Sequence, residues 1–253
     1  MHERVAGLRV AARPQAGSGS VPTCASASAR VKRASLLATV AFVGKGGSGK
    51  STTALNIAVL ARMADFKVGV IDADLQQSAF VWRCVRESND IPVCRCGPGS
   101  LDDTIEAARR AGLQFLVIDM PPALRHVPAV AHRVDLTVVA MRPTLFDLRV
   151  TRTAIQLLQS EGARYAVIFN AAPPYRGTCA SPMVRDARQA LADIGSRLWP
   201  HQITHRLSVP YSTVRGAGVA EVEPEGHAAA EYRALWRAIC RDLRLDGGAN
   251  EEA

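Results

Sequence analysis

Lysine is scarce in this 253-residue chain. Of 31 basic residues only Lys32, Lys45, Lys50 and Lys67 are lysines. Where a generic positive charge serves, the sequence uses arginine, so a lysine marks a place that needs a compact ammonium on a flexible stem. Long apolar runs are missing as well. None approaches the roughly 18 residues of a membrane span, and the first residues lack the unbroken apolar core of a secretory signal. A cytoplasmic protein is the expectation. The six cysteines (Cys24, Cys84, Cys94, Cys96, Cys179 and Cys240) include no CxxC pair, which argues against a disulfide framework or a metal cluster.

The excess of positive charge, +8 overall, is unevenly placed. Before residue 35, Arg4, Arg9, Arg13, Arg30, Lys32 and Arg33 face only Glu3, so five of the eight net charges lie there. Residues 1–35 are rich in Ala, Arg, Ser, Gly and Pro without helical or strand periodicity, and they read as a disordered basic tail. A transit peptide would need an amphipathic helix, which Pro14, Gly17, Gly19 and Pro22 interrupt. The domain expected to fold spans 36–245, and the acidic 246–253 reads as a second disordered tail.

Within that span, apolar runs of strand length occur at 37–43, 67–71, 113–118, 135–141 and 164–169, with helix-like stretches between most of them. Runs such as Phe115-Leu116-Val117-Ile118 fit strands buried on both faces. The alternation predicts an α/β fold, a mostly parallel twisted sheet with helices on both faces. In such sheets ligands bind beyond the carboxyl ends of the strands. The residues there are Gly44-Lys45-Gly46-Gly47, Asp72-Ala73-Asp74, Asp119-Met120-Pro121-Pro122, Arg142-Pro143 and Asn170-Ala171-Ala172-Pro173.

Gly44 to Ser51 satisfies GxxxxGK[ST] between a strand and a helical stretch, the setting in which a P-loop works. Gly46, Gly47 and Gly49, with Ser48, let consecutive backbone N–H groups turn onto phosphates, and the helix N-terminus adds partial positive charge. Lys50 is expected to bind the terminal phosphates and Ser51 to ligate Mg²⁺. Asp119, ending an apolar strand, fits a water-bridged Mg²⁺ role, and Asp72 and Asp74 fit the same site. Aspartates also cap helices and start turns, which is the alternative for each.

Lys45-Gly46-Gly47-Ser48-Gly49-Lys50-Ser51-Thr52 resembles the deviant Walker A loop of the ParA/MinD family, marked by an additional early lysine. Val70 to Gln77 resembles that family's DxDPQ segment, with Leu75 in place of the proline. Val117 to Pro122 resembles its Walker B segment, with Met120 in place of a small residue. The resemblance extends over about 36–245 and lies nearer to ParA than to MinD.

It implies a P-loop NTPase fold and a slow, Mg²⁺-dependent ATPase that homodimerises on ATP and is stimulated by a ParB-type partner. It further implies that Lys45 reaches across the dimer to the partner's phosphates, that Thr52 bonds the α-phosphate and that Asp74 positions the attacking water. Asp72 and Asp119 would hold the Mg²⁺ environment with Ser51, and Asn170 would read the adenine edge. Leu75 gives the switch more backbone freedom, which bears on turnover.

The ParA likeness implies sequence-independent DNA binding in plasmid or chromosome partitioning, at the nucleoid. Arg185, Arg188, Arg197, Arg206 and Arg215 are the candidate phosphate contacts. A MinD-like membrane role would use the amphipathic stripe Tyr232, Leu235, Trp236, Ile239 and Leu243. That stripe reads better as a core-packing face, so no stable membrane association is expected. A reductase of the nitrogenase iron-protein type would need cysteines near the second switch, and 119–134 contains none.

Overall fold

Apolar runs become strands wherever both of their faces can be covered. The computed structural model describes residues 37–175, 177 and 179–245; the two tails, 1–35 and 246–253, lie outside the described residues. In chain order the elements are β1 (Ala38–Val43), α1 (Lys50–Met63), β2 (Val68–Asp72), α2 (Ser78–Val85), β3 (Val93–Arg95), α3 (Leu101–Arg110), β4 (Phe115–Asp119) and α4 (Val127–Ala131). Then follow β5 (Leu136–Met141), α5 (Leu145–Ser160), β6 (Tyr165–Ala172), α6 (Pro182–Ala190), β7 (Leu198–Thr204), α7 (Ser208–Val214), α8 (Val219–Val222) and α9 (His227–Leu243).

The strands form one sheet in the order β3-β2-β4-β1-β5-β6-β7, every pairing parallel. The doubly wound α/β prediction therefore holds. Side-chain alternation divides the core in two: Ala38, Val40 and Phe42 of β1 face α1 and α9, while Ala41 and Val43 face the layer of α3 to α6. Edge-to-face contacts of Trp236 with Phe115 (centroids 5.0 Å) and Phe66 (5.9 Å) lock α9 onto the sheet. Each such pair adds roughly 0.5–1.5 kcal/mol beyond its buried area. Tyr232, Leu235, Trp236 and Ile239 are all buried, so the amphipathic stripe of α9 is spent on the core. Among the described residues no helix is long and apolar enough to cross a membrane.

Two strands are absent from the sequence expectation. β3 is a three-residue edge strand, too short for a periodic signal, and β7 carries Pro200 and an exposed His201 among its apolar residues. The expected boundaries also shift. Asp72 and Asp119 are the last residues of β2 and β4, paired side by side in the register, and Asn170 lies inside β6, which runs on to Ala172.

This topology sets the site. The loop after β1 is flanked by the ends of β4 and β5, its two neighbours in the sheet. Whatever it binds is within reach of Asp119-Met120-Pro121-Pro122 on one side and Arg142-Pro143 on the other.

Candidate nucleotide site

At its two ends, Gly44 and Gly49, the loop after β1 is pressed so closely onto its neighbours that a side chain is excluded. A Cβ on Gly44 would sit 2.2 Å from the Ala140 carbonyl oxygen. Gly49 adopts φ 82, and its Cβ would sit 2.3 Å from Asn170 Nδ2. Gly49 is also the N-cap of α1, with no side-chain cap and no acidic residue in the first turn. The N–H groups of that turn are therefore available to an anion.

Two cations serve the loop. Lys50 is buried, and its ammonium donates to the Lys45 carbonyl at 3.3 Å. Burial lowers its pKa, while the charges of Asp119 and Asp74 oppose that shift. Lys45 reaches outward, its Nζ 3.1 Å from Asp147 Oδ1. Asp147 is buried, and its Oδ2 accepts the Arg142 N–H at 3.2 Å. Its own N–H donates to the Thr144 hydroxyl, the N-cap of α5.

The three carboxylates are unlike one another. Asp119 is fully buried, and neither of its oxygens completes a hydrogen bond among the described residues. Burial pushes its pKa up to about 7; the neighbouring Ser51 hydroxyl and Lys50 ammonium pull it down, and Asp72 and Asp74 add to the rise. Asp72 accepts the Asp74 N–H at 3.2 Å on one oxygen and the Phe80 N–H at 2.9 Å on the other. It thus ties the 73–77 loop to the start of α2. Burial raises its pKa despite those bonds. Asp74 is half-buried, accepts the Gln76 N–H at 3.0 Å and stands at the wall of the site, while Leu75 beside it is 90% exposed.

A cavity of about 740 Å³ opens over this loop, lined by Gly46, Lys50, Ser51, Thr52, Asp74 and Val214 among others. Its size is that of a small-molecule site. An orphaned buried carboxylate beside a serine hydroxyl, a lysine and two more aspartates is a donor set suited to a hard divalent cation and phosphate oxygens. Ser51 would hold the metal directly, with Asp119 and Asp72 behind it.

The sequence-predicted residues Lys45, Gly46, Gly47, Ser48, Gly49, Lys50, Ser51, Thr52, Asp72, Asp74 and Asp119 therefore converge. Asn170 converges differently: its amide donates to the Ser48 carbonyl at 2.7 Å, bracing the loop from behind. Asp147 was not among the expected site residues; the fold brings it to Lys45 across the chain.

The five arginines named as candidate phosphate contacts do not share one face. Arg188 donates to the carbonyls of Trp199 and His201 and lies over Phe169, and Arg206 pairs with Glu231. Arg197 stacks on Tyr165 at the amino-terminal end of β6, whereas Arg206 follows the far end of β7. Seven strand residues at ~3.3 Å each separate those two by roughly 20 Å. Arg215 stacks on Tyr211 of α7, and Arg185 is exposed on α6.

Residues 39–160 match the family described as the CobQ/CobB/MinD/ParA nucleotide binding domain. Over that stretch the chain is similar to ParA/MinD-type nucleotide-binding domains. A curated relative, the maintenance of carboxysome distribution protein A of Gloeobacter kilaueensis, is 32% identical over 136 residues, 52% of this chain and 61% of the relative. The match thus spans about three-fifths of that relative's length. MinD of Pyrococcus horikoshii, solved with Mg-ADP, superposes at TM-score 0.66 with 16% identity, covering 86% of this chain and 100% of that one. A Cyanothece McdA variant solved with ATP superposes at TM-score 0.63 with 15% identity, covering 85% and 100%. At those identities the structural likeness is one of fold: the P-loop α/β sheet of the ParA/MinD domain.

Proposed function

We propose that this ParA/MinD-type domain is a Mg²⁺-dependent ATPase that dimerises on binding ATP and acts as a DNA-associated positioning switch. The observation that carries the reading is the second lysine: Lys45 stands at the rim of a P-loop whose inner lysine is already present, parked on the buried Asp147. One ammonium inside the loop suffices to hold a nucleotide. A second one aimed outward serves phosphates arriving from another chain.

The chain's own groups divide the work as follows. The N–H groups of Gly46 to Thr52 and the Lys50 ammonium hold the phosphates, Lys50 exchanging its bond to the Lys45 carbonyl for a phosphate oxygen. Ser51, with Asp72 and Asp119 behind it, would hold Mg²⁺, which when bound would supply charge neutralisation on the phosphate oxygens. Asp74, beside the cavity, positions the attacking water, and Lys45 leaves Asp147 for the partner's phosphates, where a further cation offsets charge developing on the transferred group. Apolar side chains exposed beside the cavity, including Val81 (59%), Val85 (47%) and Val214 (77%), supply a face for the second copy.

Association with DNA rests on the family likeness and on the exposed Arg185, Arg197 and Arg215, not on one assembled basic surface. On this reading the protein acts at the nucleoid, with a plasmid or chromosome as cargo and a ParB-type stimulating partner. The Gloeobacter relative's name adds a protein body as a second cargo class. Lys45→Ala is the direct test: the variant retains ATP binding but no longer dimerises. Persistent ATP-dependent dimers in that variant would refute the cross-dimer role. For the DNA arm, retention on random duplex should require ATP and fall steeply with salt; retention indifferent to both would refute it.

A further inference from the structure

Arg142 is unexplained by the account so far. It is the first residue after β5, next to β1 in the sheet, and its backbone is fixed on both sides: the N–H donates to Asp147 Oδ2 at 3.2 Å, and the carbonyl accepts the Thr144 N–H at 2.8 Å. From that fixed point the side chain runs to the phosphate loop. A methyl group on Gly47 would sit 3.9 Å from Arg142 Nη2. The residue is exposed, and among the described residues its guanidinium makes no hydrogen bond or ion pair. The other two cations at the loop are engaged, Lys50 on a carbonyl and Lys45 on Asp147.

We propose that Arg142 is a third phosphate-binding cation, and that its guanidinium contacts the terminal phosphate of ATP on the same side of the loop as Lys45. The inference rests on the nucleotide-switch reading above and deepens it. Three points favour a phosphate as its ligand. A planar fork of donors matches two oxygens of one phosphate, which the point charge of a lysine does not. The guanidinium lies against Gly47, where no side chain stands between it and the loop's mouth. Asp147 organises both outer cations from one carboxylate, Lys45 through its ammonium and Arg142 through its backbone.

The alternative is an arginine that is merely solvated. Affinities for ADP and for a non-hydrolysable ATP analogue, together with turnover, separate the two in the full chain and in Arg142→Ala, Arg142→Lys and Lys50→Ala. Arg142→Ala should melt within about a degree of wild type, since the side chain is exposed and unpaired. It should bind ADP within about twofold of wild type, bind the ATP analogue more weakly, and lose turnover by at least about tenfold. Arg142→Lys should recover only part of the loss.

Equal weakening toward ADP and the analogue would overturn the terminal-phosphate contact in favour of a scaffolding effect on the loop. Unchanged turnover and ATP preference would overturn it in favour of a solvated arginine. Lys50→Ala should lose both nucleotides. A wild type that does not itself prefer the ATP analogue would remove the reading beneath the proposal and the proposal with it, an outcome distinct from a failure confined to Arg142.

Discussion

Arg86, at the C-terminal end of α2, offers a quantitative test of how the carboxylate loop is joined to the rest of the domain. Its guanidinium is buried and all of its N–H groups are used: Asp90 at 2.8 and 3.1 Å, Glu221 at 3.0 and 2.8 Å, and the Gly216 carbonyl at 2.8 Å. Trp82, stacked beneath it, donates to the Ala217 carbonyl. Gly216 at φ 64 lies so close that a Cβ would meet the Arg86 nitrogen at 2.3 Å. The helix started by Asp72 is thereby clamped to the segment between α7 and α8.

Hydrogen bonds from Arg86 hold Asp90 well below its ordinary value, at about 2 against 3.8. A carboxylate depressed on folding contributes stability that is present above its unfolded pKa and lost as pH falls through the folded one. At ~1.4 kcal/mol per unit the contribution is about 2 kcal/mol, of which about 1 is gone by pH 3. Urea unfolding of wild type and Asp90→Asn at pH 6, 4 and 3 reads it directly, wild type losing about 1 kcal/mol more than the variant on acidification. Arg86→Met, which strands two carboxylates, should cost about 2–3 kcal/mol, short of a fully buried pair because Asp90 and Glu221 retain 26% and 30% exposure. Parallel acid profiles for wild type and Asp90→Asn would refute the assignment.

Three further outcomes follow from the site. Gly49→Ala forces a Cβ onto Asn170 at a left-handed position, so it should destabilise the domain by more than 1 kcal/mol and abolish nucleotide binding, read by thermal melts with and without ATP. Asn170→Ala leaves the Ser48 carbonyl unpaired and should cost roughly 1–3 kcal/mol, measured by urea unfolding without nucleotide. Chelating divalent cations should remove most of the thermal stabilisation conferred by ATP, because the phosphates then face the buried Asp119 and its neighbours Asp72 and Asp74 with no metal between them; an ATP shift indifferent to chelation would contradict the metal role of Ser51, Asp72 and Asp119.

Strands that are apolar on both faces declared themselves in the sequence, and with them the loop after β1 and the aspartates ending β2 and β4. β3 and β7 did not, because three residues carry no period and Pro200 interrupts the other pattern. The chemistry of Lys50, Ser51 and Asp119 was legible because a glycine-rich turn between strand and helix has few other uses. The Lys45–Asp147 ion pair was not legible because it joins residues far apart in the chain, and Arg142, although it follows a strand, was masked by the abundance of arginine. The arginines between 185 and 215 do not gather on one face, for a physical reason. A strand carries its two termini to opposite ends of the sheet, which parts Arg197 from Arg206, and Arg188 and Arg206 are consumed by carbonyls and by Glu231.

On the proposed reading, ATP held by one chain and reached by Lys45 of another converts a monomer into a dimer. Solution mass by light scattering, on the wild-type chain and on Asp74→Ala with Mg²⁺ and either ADP or ATP, tests it most directly. The account predicts a monomer with ADP, a transient dimer with ATP, and a dimer that persists in Asp74→Ala because hydrolysis no longer releases it. A mass that is the same with ADP and ATP in both proteins would contradict it.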